Sequence, residues 1–233
     1  MSNVYRIADK NIKITSLFPF IHVYCRGYEA DCEPDFEIQT TESDIKAESQ
    51  TLRAEVTGEW LEISAVYRKI AEIMPEFDTL MIHGSAISVD GEGYLFTAKS
   101  GTGKSTHTRL WRELLGDRTI IVNDDKPFVK IVENGARIYG TPYCGKEGLN
   151  TNISVPLKAV CILERSEENR IEQIEINEAF PMLIHQTYHP SDKRRLMRVL
   201  ELLDRLKGLV NFYHLFCNTE LKAAEISYNA MKG

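Results

Sequence analysis

The sequence predicts an α/β protein with mixed β-sheets and a β-rich N-terminal part. Three observations predict this class. Short apolar runs separated by turn-forming residues dominate the first 58 residues, and apolar runs alternate with amphipathic helical stretches after them. A small-residue loop, AKSGTGKS at residues 98–105, joins one apolar run to a helix. Two adjacent carboxylates then close the next apolar run, in NDDK at residues 123–126.

Length and composition are those of an ordinary globular protein. The 233 residues are 43% hydrophobic and 27% charged, which favours one domain with an elaboration. The net charge of −6 argues against nucleic acid as a partner, because such binding needs a surplus of basic side chains. No apolar run is long enough to span a bilayer, and the first residues lack the pattern of a signal peptide. We therefore expect no membrane association.

Cysteine usage predicts the compartment. Five cysteines are scattered along the chain without any CxxC pair: Cys25, Cys32, Cys144, Cys161 and Cys217. Scattered thiols in odd number favour free cysteines in a reducing compartment. The expected localisation is cytoplasmic.

The first part of the chain is predicted to be β-rich. The runs VYRIADKNIKI, HVYCRGYEA and FEIQT each alternate apolar and polar residues, as strands do. We divide the chain into residues 1–58, a β-rich part packed on the core, and residues 59–233, a domain that contains the AKSGTGKS loop. The stretch GEWLEISAVYRKIAEIM opens the second part as an amphipathic helix, which Pro75 ends.

Strands precede helices in the second part. TLMIHGSAISV and YLFTA predict a hairpin joined at DGEG, and TIIVNDD predicts a short buried strand. PFVKIVENGARIYGTP predicts another hairpin, which turns at Asn134 and Gly135, and LKAVCILER a further strand. The helix after the AKSGTGKS loop is expected to end at Gly116. Further helices are predicted at EAFPMLIHQTY, with Pro181 in its first turn, at SDKRRLMRVLELLDRLKG and at TELKAAEISYNAMK.

The segment Ala98–Ser105, here called the phosphate loop, fits the pattern of a nucleotide-binding loop except that alanine replaces its first glycine. Such a loop needs a buried strand before it, glycines that turn backbone N–H groups inward, and a helix whose N-terminus faces the anion. Lys104 would reach the β- and γ-phosphates of ATP. The alternative interpretation is a small-residue turn that caps an ordinary helix. The predicted nucleotide-binding residues are Ser100, Gly101, Thr102, Gly103, Lys104, Ser105 and Thr106.

The carboxylate pair Asp124 and Asp125 stands where an enzyme with a phosphate loop holds Mg²⁺. One carboxylate would anchor the ion, and the other would accept the proton of an attacking hydroxyl. Neighbouring side chains of a strand point to opposite faces, so both can serve only where the strand gives way to a turn. The residue types do not decide which aspartate has which role; our working assignment gives the metal to Ser105 and Asp124. A solvated pair at a strand end is the alternative.

Two weaker candidates lie nearby. His83, in LMIHGSAI, is predicted either as a catalytic group or as a core histidine bonded to a carbonyl. Lys146, in the turn GTPYCGK, is predicted either as a contact for an anionic substrate or as part of a bare turn.

Three motifs together resemble a known family. HGSAI at 83–87, SGTGKST at 100–106 and VNDDKP at 122–127 resemble the kinase domain of HPr kinase/phosphorylase and, more distantly, the nucleotide half of ATP-dependent phosphoenolpyruvate carboxykinase. GTPYCGK and NTNISVPLKAVCILER also resemble a group of uncharacterised bacterial proteins related to HPr kinase. The resemblance implies a carboxykinase-like P-loop nucleotide-binding fold. It also implies phosphate and metal binding by Lys104 and Ser105, metal ligation and base catalysis by Asp124 and Asp125, and a place for His83 near the transferred phosphate.

The sequence also departs from that family. Thr106 stands where HPr kinases usually carry an acidic residue, and the glycine-rich segment associated with HPr docking has no match. HPr as substrate and a reverse reaction are therefore not expected, nor is carboxykinase activity. HPr kinases form hexamers, so a homo-oligomer is a possible assembly. The leading hypothesis is a kinase that uses ATP and Mg²⁺ to phosphorylate a hydroxyl of an unidentified protein, peptide or small molecule. The alternatives are a regulatory module that senses ATP or ADP and a plain ATPase.

Overall fold

The computed structural model describes residues 1–51 and 56–233 and has two β-sheets in an α/β arrangement. The first sheet contains β1 (Ser2–Ile7), β2 (Lys10–Thr15) and β3 (Phe36–Gln39). β1 and β2 run antiparallel, and β3 runs parallel to β2. The turn between β1 and β2 places Ala8 and Asp9 in the left-handed region, with φ of 49° and 61°. The run VYRIADKNIKI, predicted to form strands, therefore forms a hairpin of β1 and β2.

Helices interrupt this N-terminal part more than the sequence predicts. The run HVYCRGYEA, expected as a strand, instead overlaps helix α1 (Phe20–Tyr24). Helical spacing puts Ile21 and Cys25 on one face, and both are fully buried. Helix α2 (Glu42–Thr51) follows β3 and was not predicted.

Helix α3 (Gly58–Ile73) lies between the two sheets. Its apolar face packs against the first sheet, and Tyr67 and Val66 share this core with Phe128 and Tyr139 of the second sheet. Pro75 lies in a 3-10 turn, Met74–Phe77, which ends the helical segment as expected. The division proposed at residue 58 stays a prediction.

The second sheet has nine strands among the described residues. They are β4 (Thr79–Met81), β5 (Ser85–Val89), β6 (Glu92–Thr97), β7 (Thr119–Asn123), β8 (Phe128–Val132), β9 (Gly135–Tyr139), β10 (Ser154–Arg165), β11 (Arg170–Ile174) and β12 (Asn211–Cys217). The order is β4-β8-β9-β10-β6-β5-β7, with β12 beside β10 and β11 beside β12. β10 is antiparallel to β9 but parallel to β6 and β12, so the sheet is mixed, as the sequence predicts.

Helices cover both faces of this sheet. The remaining helices are α4 (Lys104–Leu115), α5 (Ile176–Gln186), α6 (Lys193–Arg205) and α7 (Leu221–Met231). Alternate residues of β6 point to opposite faces: Leu95 packs with the core under α5 and α6, whereas Tyr94 and Phe96 pack with the core under α4 and α7. The site described below lies where β6 and β7 end.

Four local expectations are corrected. TLMIHGSAISV is two strands, β4 and β5, because the amides of His83 and Gly84 bond to Gln186 and Asp125 outside the sheet. TIIVNDD forms an edge strand, with Ile120 48% exposed, rather than a buried one. Pro181 is the sixth residue of α5, beyond the first turn, so it removes one intrahelical hydrogen bond. The strands β11 and β12 were not predicted.

No helix in the described parts of the chain combines the length and apolar character needed to cross a membrane.

Candidate functional site

The phosphate loop connects the end of β6 to the start of α4. Gly101 and Gly103 adopt φ of 79° and 123°, values that L side chains tolerate poorly, so both positions favour glycine. Ala98, which replaces the first glycine of the pattern, is fully buried and has no positive φ. Its methyl group therefore imposes no backbone strain, and the departure from the pattern leaves the loop geometry intact.

The Lys104 side chain turns back under the loop. Its Nζ donates to the Ala98 carbonyl at 3.2 Å, and the residue is only 8% exposed. Burial lowers the pKa of Lys104, while the negative charge of Asp125 acts in the opposite direction. Ser105 is exposed on the first turn of α4, next to the partly buried Thr106. The loop thus presents one cation and two hydroxyls at the N-terminus of a helix.

Arg165, at the end of β10, holds the loop from outside. Its Nε donates to the Thr102 carbonyl at 3.1 Å, and its terminal nitrogen donates to the Gly101 carbonyl. These bonds direct two loop carbonyls toward the guanidinium. The sequence carried no signal for this contact, because more than 60 residues separate the partners.

Asn123 shapes the turn that carries the two aspartates. Its Oδ1 accepts from the backbone amides of Asp125 at 2.9 Å and Lys126 at 2.6 Å. Its Nδ2 donates to the carbonyls of Thr141 and Tyr143 at 3.0 Å and 3.2 Å. The strand gives way to a turn at the point where the sequence required it. The two carboxylates can consequently reach different partners.

Asp124 packs against the loop that contains Lys146. Its Oδ1 accepts from the Gly145 amide at 2.6 Å, and the residue is 6% exposed. Burial raises the pKa of Asp124, and the neighbouring charge of Asp125 adds to this effect. A Cβ at position 145 would lie 3.0 Å from Asp124 Oδ2, which explains the glycine there. Lys146 itself is exposed and forms no ion pair with another described side chain.

Asp125 lies among positive or proton-donating groups. Its Oδ1 is 3.1 Å from His83 Nε2, and its Oδ2 is 3.2 Å from Lys126 Nζ. Burial raises the pKa of Asp125, but the hydrogen bond from His83 and the charge of Lys126 outweigh it, so the net pKa is lowered. Asp125 is therefore a carboxylate at neutral pH.

His83 is fixed on its other side by Gln186, the last residue of α5. His83 Nδ1 lies 2.8 Å from Gln186 Oε1, and the His83 carbonyl accepts from Thr97 Oγ1 at 2.9 Å. The ring therefore contacts the Asp125 carboxylate on one side and the side-chain amide of Gln186 on the other. Both interpretations of His83, as a catalytic group and as a core histidine, stay predictions.

The structure thus brings together the predicted residues Lys104, Asp125 and His83, with Asp124 on the adjoining side of the turn. It adds Lys126 and Gln186, which the sequence did not single out. Within the described residues no cluster of three or more His, Cys, Asp or Glu side chains could hold a metal by itself.

Two cavities are among those that adjoin these residues. One, of about 270 Å³, lies beside the phosphate loop and is lined by Thr102, Gly103, Thr106, His107 and Arg165, among others. The other, of about 380 Å³, is here called the aromatic cavity. It lies between α1, α3 and the turn after Asp125, and five rings line it: Tyr24, Trp60, Tyr67, Tyr143 and Tyr188.

Cys144 also lines the aromatic cavity, but its chemistry is not that of a nucleophile. Burial raises the pKa of its thiol, and Asn150 Nδ2 donates to Sγ at 3.1 Å. A thiol with a raised pKa carries little thiolate at neutral pH.

Comparison with known proteins identified one matching family. A family model described as SynChlorMet cassette protein ScmC matches residues 49–191. No curated protein matches the chain. Among solved structures, the HPr(Ser) kinase/phosphatase from Coxiella burnetii aligns with 66% of this chain and 99% of its own, at 12% identity and a TM-score of 0.34.

Proposed function

The chain belongs to the ScmC family, and we propose that it is a kinase that uses ATP and Mg²⁺ to phosphorylate a hydroxyl group. The proposal includes a carboxykinase-like P-loop nucleotide-binding fold. One observation carries it: direct contacts link the phosphate loop to Asp125. Thr97, which precedes the loop, donates from Oγ1 to the His83 carbonyl at 2.9 Å, and His83 Nε2 lies 3.1 Å from Asp125 Oδ1. A phosphate donor and a proton acceptor are needed at one place in a kinase.

The phosphate loop supports binding of the nucleotide. Glycines at positive φ let backbone N–H groups turn toward an anion, and the N-terminus of α4 favours negative charge. Lys104 would contact the β- and γ-phosphates. The cavity beside Thr106 and Arg165 is adjacent to the loop and offers space for the rest of the nucleotide.

Ser105 and Asp124 are the proposed Mg²⁺ ligands, since this ion commonly takes one or two protein oxygens together with phosphate oxygens. Asp124 is a buried carboxylate with a raised pKa, and a nearby cation would favour its charged form. Bound there, Mg²⁺ would neutralise charge on the β- and γ-phosphates.

Asp125 is the proposed base. The acceptor oxygen forms a bond to the γ-phosphorus as the bond from that phosphorus to the β,γ-bridging oxygen breaks, and ADP leaves with the electron pair. The hydroxyl proton passes to Asp125 and from there to solvent. His83 Nε2 lies 3.1 Å from Asp125 Oδ1, and this contact orients the carboxylate toward the acceptor hydroxyl.

A thermal-shift assay combined with a transfer assay tests this function. Wild type, Lys104→Ala and Asp125→Asn are measured with ATP, ADP and GTP, with and without Mg²⁺, and Lys193→Ala serves as an exposed control. Binding to the folded state raises the melting temperature. We expect a shift in wild type, Asp125→Asn and Lys193→Ala that Lys104→Ala loses, and transfer of phosphate from ATP to a component of a host-cell extract only in wild type and Lys193→Ala.

The same variants separate the kinase from a nucleotide sensor. A sensor would bind nucleotide in a manner that depends on Lys104 but transfer no phosphate, and Asp125→Asn would leave its output unchanged. Absence of a shift with every nucleotide would overturn both interpretations.

A further inference from the structure

We propose that the aromatic cavity binds the phosphate acceptor, and that this acceptor is a small hydroxy acid with a planar apolar body. The inference rests on the proposed kinase function and names the substrate class of its site. The phosphate loop contributes no residue to the lining of the cavity. Asp125 is adjacent to both the phosphate loop and the cavity.

Lys126 connects the cavity to the proposed base. Its side chain lines the cavity, and its Nζ lies 3.2 Å from Asp125 Oδ2. The same Nζ lies 5.2 Å from the centre of the Tyr67 ring, which forms another part of the wall. The charge of Asp125 also acts on the Tyr67 hydroxyl. A ligand in the cavity would therefore lie next to the group that takes its proton.

The walls favour a planar apolar body. Tyr67 and Tyr143 pack with their ring centres 4.5 Å apart, and Tyr24 and Trp60 pack edge to face at 5.9 Å. Apolar and aromatic walls with a few polar groups are typical of small-molecule sites, which range from about 300 to 1,000 Å³. The cavity volume of about 380 Å³ lies within that range. A folded protein surface could not enter such a space, whereas a ring with a short side chain could.

Among the described residues, two buried hydroxyls at the cavity have no oxygen or nitrogen partner. Tyr67 is 5% exposed and Tyr143 is 3% exposed, and the thiol of Cys25 is the one partner of the Tyr143 hydroxyl in that part of the chain. Buried polar groups in proteins are nearly always paired, so each exception needs an explanation. An oxygen of a ligand in the cavity would accept from Tyr67 after a small shift of the whole side chain. The hydroxyls thus indicate a ligand with acceptor oxygens.

The charged residues that line the cavity in the described part of the chain are both basic. They are Arg68 and Lys126, and no Asp or Glu of that part lines it. Arg68 pairs with Glu48, with Nε 2.7 Å from Oε1, and its guanidinium carries further N–H donors besides Nε. A guanidinium presents paired donors that match a carboxylate. The acceptor is therefore expected to carry a carboxylate in addition to its hydroxyl.

Fluorescence of Trp60 provides a direct test. Trp60 lines the cavity and is 47% exposed, whereas the second tryptophan, Trp111, is fully buried. The probes are 3-phenyllactate and indole-3-lactate, which have the ring, the carboxylate and the hydroxyl. Glycerate, without a ring, and 2-phenylethanol, without a carboxylate, are the matched controls. Trp60→Phe identifies the source of the signal.

We expect a saturable change of emission with the two aromatic hydroxy acids, and at least tenfold weaker binding of both control compounds. Tyr67→Phe and Arg68→Gln should weaken binding of 3-phenyllactate at least tenfold, whereas Arg26→Gln, a change at an exposed arginine outside the cavity, should not. Added ATP and Mg²⁺ should convert a bound probe into its phosphate ester in wild type and Arg26→Gln, and not in Asp125→Asn.

The outcomes separate the inference from the function on which it rests. A thermal shift with ATP together with no saturable signal from either aromatic acid would overturn the inference and leave the kinase standing. Equal binding of glycerate and 3-phenyllactate would overturn it as well. The inference would also be overturned if the protein phosphorylated a peptide and 3-phenyllactate did not inhibit that reaction. Saturable binding of the acids by a chain that no nucleotide stabilises would support the cavity and reject the kinase.

Discussion

The phosphate loop and the aromatic cavity meet at Asp125, but they are built from different parts of the chain. The loop presents backbone groups of eight consecutive residues, Ala98–Ser105, and its shape depends on two glycines at positive φ. The cavity presents side chains of residues as far apart as Tyr24 and Tyr188. A phosphate group is common to all nucleotides and suits backbone recognition. An acceptor must be distinguished from other hydroxyl compounds, and side chains provide that distinction.

The largest expected effect is at Asp125, where the two regions meet. Asp125→Asn keeps the shape and removes the proton acceptor, so transfer to any acceptor should fall by about 10²- to 10⁴-fold, the usual contribution of a general base. Nucleotide binding should persist, because the loop is unchanged. The measurement is the initial rate of phosphate transfer together with the thermal shift by ATP.

Asp117→Asn is the control for this variant, since Asp117 is exposed beyond the end of α4. A transfer rate within threefold of wild type in Asp125→Asn would show that another group takes the proton and that the loop and the cavity do not share this carboxylate.

The next largest effect is expected at Gly103, where a substitution should change both the free energy of unfolding and the affinity for nucleotide. Gly103→Ala forces alanine to φ of 123° and should lower the free energy of unfolding; the usual cost of such strain is about 1–2 kcal/mol. It should also weaken nucleotide binding by at least tenfold, because the loop amides would move. Urea denaturation and a titration with ATP measure the two quantities.

Gly91→Ala is the matched control. Gly91 has φ of 86° in the hairpin between β5 and β6, and like Gly103 it has open space around an added Cβ. We expect both variants to lose a similar free energy of unfolding and only Gly103→Ala to lose nucleotide binding. That result would support recognition of the nucleotide by the backbone of the phosphate loop. Equal nucleotide binding in both variants would contradict backbone recognition.

This contrast also explains what the sequence could predict. The phosphate loop could be located because its strand, glycines and helix are contiguous, and α4 begins at Lys104 as the pattern requires. The turn after Asn123 could be anticipated because two adjacent carboxylates can work together only outside a regular strand. The hairpin of β8 and β9 could be placed because Asn134 and Gly135 are strong turn formers.

The aromatic cavity could not be predicted, because no short pattern relates residues on α1, α3 and the segment after α5. Gln186 and Arg165 act on His83 and the phosphate loop from distant strands and helices, so their roles depend on tertiary contacts. The split of TLMIHGSAISV into β4 and β5 has the same origin, since bonds from His83 and Gly84 to distant residues override its apolar pattern.

A pH effect is expected on the loop side of the molecule. His107, in the second turn of α4, accepts from Trp111 Nε1 at 3.2 Å, and burial lowers its pKa to about 4. In the unfolded chain its pKa is about 6.5. Between these values the unfolded chain binds a proton that the folded chain does not, so stability falls as the pH is lowered from 6.5 to 4 and is constant above 6.5. Between pH 7.5 and pH 5 the loss from His107 alone is about 2 kcal/mol.

Urea denaturation at the two pH values measures this loss. His107→Gln should reduce the difference by about that amount, whereas His185→Gln, on the exposed side of α5, should leave it unchanged. If the free energy of unfolding depended on pH identically in His107→Gln and wild type, the buried histidine would not be the cause of the loss of stability at acid pH.

The smallest expected effect is on the cavity side and has the opposite sign. The Tyr67 hydroxyl is buried and has no hydrogen-bond partner among the described residues. Tyr67→Phe therefore removes a desolvated polar group and should leave the free energy of unfolding unchanged or raise it by up to about 1 kcal/mol. Tyr139→Phe is the matched control: this tyrosine is also 5% exposed and lies in the same core, but its hydroxyl donates to Asp9 at 2.5 Å. Loss of a bond to a charged group should destabilise Tyr139→Phe by about 1.5–3 kcal/mol.

Urea denaturation compares the two variants. Destabilisation of Tyr67→Phe as large as that of Tyr139→Phe would mean that the protein itself satisfies the Tyr67 hydroxyl, and the cavity would lose its strongest indication of a bound ligand.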